Sequence, residues 1–303
     1  MFFGQLETLM LISPCLGDLT RSELALALGA GFGSISGSVL FAYIAMGVSA
    51  FDLFTATIMA VPATIVISKL MEPEIFYSKF TEKSIKNALN KSHGDSILDA
   101  LMQGAIRGGH VVIQVTLVLI VFYSILMLLD GIFAFLVSLV DDTAQLGIED
   151  LLGKLMFYSL APLVANIKNS AYIFYPIAYM IGVPAGPECS RVSRLIAIKL
   201  FFNEFVAYQK LIEENKVEEL SARTNQIAVF ALCGFANFSS VAIITGSAAK
   251  LNSSLSNERI NSTVWKALLI GVLTSLFNAT VAGLIHPPEI ENFGDSFNTT
   301  AYK

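Results

Sequence analysis

Charge disappears from this chain for long stretches and returns in short ones. Leu24–Ala50, Leu53–Ser68, Val111–Leu129, Asn225–Ala249 and Ala267–Ile285 carry no charged residue. About 20 apolar residues in a helix cross a bilayer, so these runs predict membrane-spanning helices. Two of the runs are not uniform. Leu24–Ala50 is interrupted by Gly29, Gly31, Gly33 and Gly37, with Ser34, Ser36 and Ser38 interspersed. Asn225–Ala249 holds Gly234, Asn237, Ser239 and Ser240 near its middle. Small residues let membrane helices pack closely. They also let a helix unwind and offer its carbonyls to a cation. The pattern alone leaves both readings open.

Shorter apolar pieces lie between the spans. Met1–Ile12 is apolar except for Gln5 and Glu7 and is too short to cross. Polar groups in such a piece suggest half of a re-entrant hairpin; a frayed amphipathic end is the plainer alternative. Thr20-x-x-Glu23 reads as a capping box opening the first long run. Leu151–Ala207 does not read as simple spans. Tyr172–Gly182 is a short apolar arm, Val183-Pro184-Ala185-Gly186-Pro187 is a breaker, and Leu195–Ala207 is a second arm. Two half-length arms around a proline turn predict a second re-entrant hairpin within 151–207.

Composition agrees with a membrane protein: 54% of residues are hydrophobic and 14% charged. The net charge of −5 argues against a nucleic-acid partner. Cys15, Cys189 and Cys233 show no paired spacing, and His93, His110 and His286 form no ligand cluster. No basic leader is visible at the N-terminus. Lys79, Lys83, Lys86, Lys91 and Arg107 place the 72–107 segment in the cytoplasm, and Lys250–Lys266 likewise. The Glu-rich 208–223 stretch and the C-terminal tail then fall outside. Asn298-Thr299-Thr300 becomes an external glycosylation sequon, and those at Asn252 and Asn261 stay internal. The domain reading is a partial first hairpin at 1–12, two spans in 20–71, the cytoplasmic segment, and a span at 111–140. The second hairpin region, a broken span at 225–249 and a last span at 267–285 follow. A polar arm followed by a Gly/Ser-broken span occurs at 1–50 and again at 172–249, the mark of a secondary transporter built from repeats.

Chemistry concentrates in two runs. Glu204 stands among Phe201, Phe202, Phe205 and Val206. A carboxylate there costs at least about 2.5 kcal/mol unless it faces protein, water or a ligand. Asn237, Ser239 and Ser240 alone are explained by helix–helix hydrogen bonds; with Glu204 beside them, a substrate site is the better reading. No nucleophile–base pair or metal cluster accompanies Glu204, which argues against an intramembrane enzyme.

These residues carry a resemblance. Phe202-Asn203-Glu204-Phe205-Val206-Ala207-Tyr208 and Ala231-Leu232-Cys233-Gly234-Phe235-Ala236-Asn237 are similar to motifs of the concentrative nucleoside transporter family. So are Gly37-Ser38-Val39-Leu40 with Ala42-Tyr43-Ile44, Gln103-Gly104-Ala105 and Gly4-Gln5-Leu6-Glu7, all in the family's order. The resemblance implies an all-α membrane protein of many helices, with re-entrant hairpins and broken transmembrane helices. It implies a sodium-coupled nucleoside symporter of the plasma membrane, assembled as a homotrimer and working by an elevator motion, with no cofactor besides the coupling ion.

The roles it implies are specific. Gln5 and Glu7 face the nucleobase, Val39 and Phe235 pack on it, and Glu204, Asn237 and Ser240 hold the ribose hydroxyls. Ser34 and the carbonyl of Ile35 belong to the sodium site. Three departures stand beside this. The chain opens inside the first hairpin, so a truncated, non-transporting paralogue is the alternative function. Leu6 replaces the family's Thr, and Leu155–Ala171 is extra sequence in the second hairpin region. Purine or pyrimidine preference, and sodium or proton as the coupling ion, are not decided by these residues.

Overall fold

A computed structural model describes residues 5–12, 16–78, 173–251 and 257–286, with isolated helical positions between 98 and 128. The described residues are helical, without strands. Lys79–Lys91, most of the 111–140 span, Leu155–Ala171 and Asn298 lie outside them. We number the helices α1 (Gln5–Ile12), α2 (Arg21–Gly33), α3 (Gly37–Met46), α4 (Ala50–Met71), α5 (Tyr175–Met180), α6 (Pro187–Phe201), α7 (Glu204–Val217), α8 (Ala222–Leu232), α9 (Phe238–Leu251) and α10 (Asn257–Ile285).

Local chemistry explains several helix starts. Thr20 forms the full capping box with Glu23: each side chain accepts from the other's backbone N–H, at 3.1 and 2.8 Å. Ser36, Ser49 and Asn203 cap α3, α4 and α7 through their side-chain oxygens. Pro187 occupies the first turn of α6, where its missing N–H costs nothing. α4 and the Arg259–Ile285 part of α10 are long and apolar enough to cross a membrane.

The long α10 is the axis of the described fold. It packs on α2, α4, α8 and α9. Gly271, Ser275, Ala279, Ala282 and Gly283 let neighbours approach, as small residues do between membrane helices. Polar glue lies in the same seams. Thr64 and Thr274 share a hydrogen bond at 3.3 Å, and the Asn278 amide donates to the Ala56 carbonyl at 3.2 Å.

Two units of the same design face each other. In the first, the arm α1 leads into the split pair α2/α3 and then the long α4. In the second, α7 leads into α8/α9 and then α10. Contacts correspond: α1 touches α2 and α9, while α7 touches α8 and α3. Each arm therefore packs beside its own split span and reaches across to the other.

Several boundaries differ from the sequence reading. The uncharged 24–50 run is two helices separated at Ser34–Ser36. The second hairpin turns at Phe202-Asn203, not at the proline breaker. Its arms are α6, of 15 residues, and α7, of 14. They run antiparallel, since Arg191 and Arg194 at the start of α6 pair with Glu214 near the end of α7, at 3.4 and 3.3 Å. The charged 208–217 stretch is thus a helical arm rather than a loop, because its charges find partners on the facing arm. The prolines instead separate the short α5 from α6. The last helix begins at Asn257 rather than Ala267: the polar 257–266 part is helical and places Lys266 against Glu72 at 2.5 Å.

Candidate functional site

Four interruptions of regular helix meet in one place: the start of α1, the α2/α3 gap, the α6/α7 turn and the α8/α9 gap. Each presents polar groups that a continuous helix would have consumed. At the turn, Asn203 accepts from the Val206 N–H at 2.9 Å. This cap fixes Glu204 in the first turn of α7, where the helix dipole favours a carboxylate. Glu204 is 7% exposed, and among the described residues it forms no ion pair. Its partners are neutral. Tyr43 Oη donates to Oε1 at 3.2 Å and Asn237 Nδ2 donates to Oε2 at 2.8 Å. A carboxylate accepts about four hydrogen bonds, so two donors leave acceptor capacity.

Asn237 is oriented by its neighbours. Its Oδ1 accepts from Ser239 Oγ at 2.7 Å and from the Ser240 N–H at 2.8 Å. The N–H can only donate and a carboxylate can only accept, so the amide cannot be turned over. Its second Nδ2 hydrogen is free of these three bonds. Ser240 Oγ in turn accepts from Gln5 Nε2 at 3.3 Å, joining α1 to α9. The buried Oε1 of Gln5 has no partner among the described residues. A buried acceptor without a donor is costly unless something else supplies one.

Backbone approach makes this meeting possible. Gly31 lets α1 lie against α2; a Cβ there would sit 2.9 Å from Gln5 Cα. Gly234 has φ +108° and passes the Phe32 carbonyl so closely that a Cβ would lie 3.0 Å from its oxygen. Only glycine meets both demands.

The site residues expected from sequence fall as follows. Gln5, Glu204, Asn237 and Ser240 are linked through hydrogen bonds, with Tyr43 as a fifth member. Val39 and Phe235 are partly buried and pack against the same apolar cluster as Tyr43, Tyr208 and Cys233. Ser34 and Ile35 are buried in the α2/α3 gap, and Ser34 Oγ donates to the Ala30 carbonyl at 2.7 Å. Glu7 lies on α1, and its side chain is outside the described residues.

Two participants escaped sequence reading. Tyr43 bonds Glu204 and packs against Tyr208, with ring centroids 4.6 Å apart and the rings tilted by 45°. Its spacing of four from Val39 puts both on one helix face, which was a usable signal. Lys199 is 3% exposed and sits one turn before the hairpin tip. A lysine inside an apolar arm is itself a flag.

The family described as Na+ dependent nucleoside transporter C-terminus matches residues 52–283. Sodium/nucleoside cotransporter 1 of Rattus norvegicus is 34% identical over 302 residues, covering 95% of this chain and 43% of the relative. Solute carrier family 28 member 3 of Rattus norvegicus is 35% identical over 299 residues, covering 94% of this chain and 39% of the relative. A solved structure of CNTnw in an inward-facing substrate-bound state superposes with a TM-score of 0.72 at 30% identity. It covers 93% of this chain and 61% of that one. The chain thus spans less than half the length of these curated relatives.

Proposed function

The chain belongs to the sodium-dependent nucleoside transporter family, and from that membership we propose that it carries nucleosides across the plasma membrane together with sodium. The observation that supports this best is the buried Glu204 held by Tyr43 and Asn237 at the meeting of the helix interruptions. A ribose offers adjacent hydroxyls. An ionised carboxylate accepts from hydroxyls through short, strong bonds, and the spare Asn237 hydrogen suits a hydroxyl oxygen. Ser240 extends the same polar edge. The unpartnered Gln5 Oε1 suits a donor on the base, with Glu7 on the same arm. Val39 and Phe235 supply the apolar surface that a base face requires.

Sodium is a transported partner in this reading. Ser34 and the Ile35 carbonyl, at the α2/α3 gap, contribute oxygen donors of the kind an alkali cation takes. Sodium bound there would order the first gap, against which Gly234 of the second gap packs. That contact gives a physical route from ion binding to nucleoside binding. Assembly as a homotrimer, an elevator movement of the hairpin-bearing part and an external C-terminus complete the proposal.

The test is uptake of labelled uridine by cells expressing the chain, in sodium against choline medium. Uptake that requires sodium and is competed by other nucleosides is expected. Sodium-independent uptake, or none in cells where surface labelling shows the protein present, would contradict it.

A further inference from the structure

Lys199 is the one buried basic group among the described residues, and nucleoside binding gives it no task. Its Nζ donates to the carbonyls of Ala231 at 2.8 Å and Cys233 at 3.2 Å, and to Ser275 Oγ at 2.9 Å. Ser275 Oγ spends its own hydrogen on the Val272 carbonyl, at 2.9 Å, so towards Lys199 it is an acceptor. Three acceptors use all three N–H donors of an ammonium; a neutral amine has one too few.

The two carbonyls are not ordinary ones. They stand at the end of α8, where the chain leaves the helix for the α8/α9 gap, and a helix end leaves its last carbonyls without partners. Tyr208 Oη covers the Val229 carbonyl one turn earlier, at 2.8 Å. An unwound membrane helix with bare carbonyls and a hydroxyl nearby is a setting that takes a cation. Here the cation is covalently attached to the chain.

We propose that Lys199 is a resident cation of the second gap. It occupies the oxygen cage that a mobile monovalent cation would otherwise enter, and so holds the backbone that carries Asn237 towards Glu204. Lys199 is a positioning residue in this role. The inference stands on the hydrogen-bond geometry and does not require that the chain transports nucleosides.

The test is thermal melting of the purified chain in detergent, at matched ionic strength in choline, sodium or ammonium chloride. The parent, Lys199→Ala and Lys199→Gln are compared. The alanine variant empties the cage, whereas glutamine fills it with neutral amide donors. Lys199→Ala should melt lower than the parent in choline. Sodium or ammonium should raise its midpoint by about 3 °C or more beyond the parent's own response, as a newly bound ligand does. Lys199→Gln should show no such added response. Equal salt responses in the parent and the alanine variant would overturn the proposal. So would equal responses in the two variants. A Lys199→Ala chain unrecoverable in all three salts, while Lys199→Gln purifies normally, would show a packing role without room for an ion and would overturn it too.

Discussion

The two split spans break in the same place and are held open differently. At the first gap the serines make local bonds. Ser34 donates back to Ala30, and Ser36 accepts from Val39 of the helix it caps. At the second gap Ser239 and Ser240 also bond locally to Asn237, and distant groups are added to them: Lys199 from α6 holds the Ala231 and Cys233 carbonyls, and Glu204 from α7 holds Asn237. A gap closed by its own serines keeps oxygen atoms within itself. A gap clamped by a hairpin is tied to whatever that hairpin does. The difference fits a division in which the first gap handles the ion and the second handles the larger solute.

The largest expected effect is on the contact between the gaps. Gly234→Ala combines a positive φ with a Cβ pressed on the Phe32 carbonyl. It should cost roughly 2–4 kcal/mol, from backbone strain and overpacking together. Gly37→Ala, at the first gap, meets nothing within 4 Å and should be nearly silent. Thermal melting of both variants checks this; equal losses would mean the gaps do not bear on each other as described.

The next effect belongs to the hairpin tip. Asn203→Ala removes the α7 cap and should cost about 1 kcal/mol. Because that cap aims Glu204, nucleoside KM should rise while the sodium requirement stays. A change in sodium half-saturation alone would count against it.

The smallest effects separate the gaps functionally. Ser240→Ala should raise nucleoside KM about fivefold, the worth of roughly 1 kcal/mol, at unchanged sodium dependence. Ser34→Ala should do the reverse. Uptake measured over a grid of both concentrations distinguishes the two, and identical profiles would dissolve the proposed division.

How far the sequence reaches is clear from particular residues. The uncharged runs at 24–50, 53–68, 225–249 and 267–285 fall on helices, and Thr20 with Glu23 announced its cap. Glu204, Asn237 and Ser240 stood out because polar groups are expensive among apolar neighbours. The hairpin turn was misplaced because Pro184, Gly186 and Pro187 are stronger local breakers than Phe202-Asn203. The turn is set instead by the pairing of Arg191 and Arg194 with Glu214, a contact between arms that local pattern does not contain. Lys199 was passed over for a related reason. What satisfies it are carbonyls some thirty residues further on, and every residue type has a carbonyl.

The central claim is that the Glu204 carboxylate reads the sugar of a nucleoside. Glu204→Gln keeps the volume and removes the charge, so uridine affinity is compared in the parent and this variant, against ribose-modified analogues. The expected loss is about 1.5–3 kcal/mol for uridine, the range for a hydrogen bond to a charged group, with discrimination among the analogues lost alongside it. A variant that binds uridine as tightly as the parent, with its preference among the sugars intact, would show that Glu204 only holds Tyr43 and Asn237 together and that the sugar is read elsewhere.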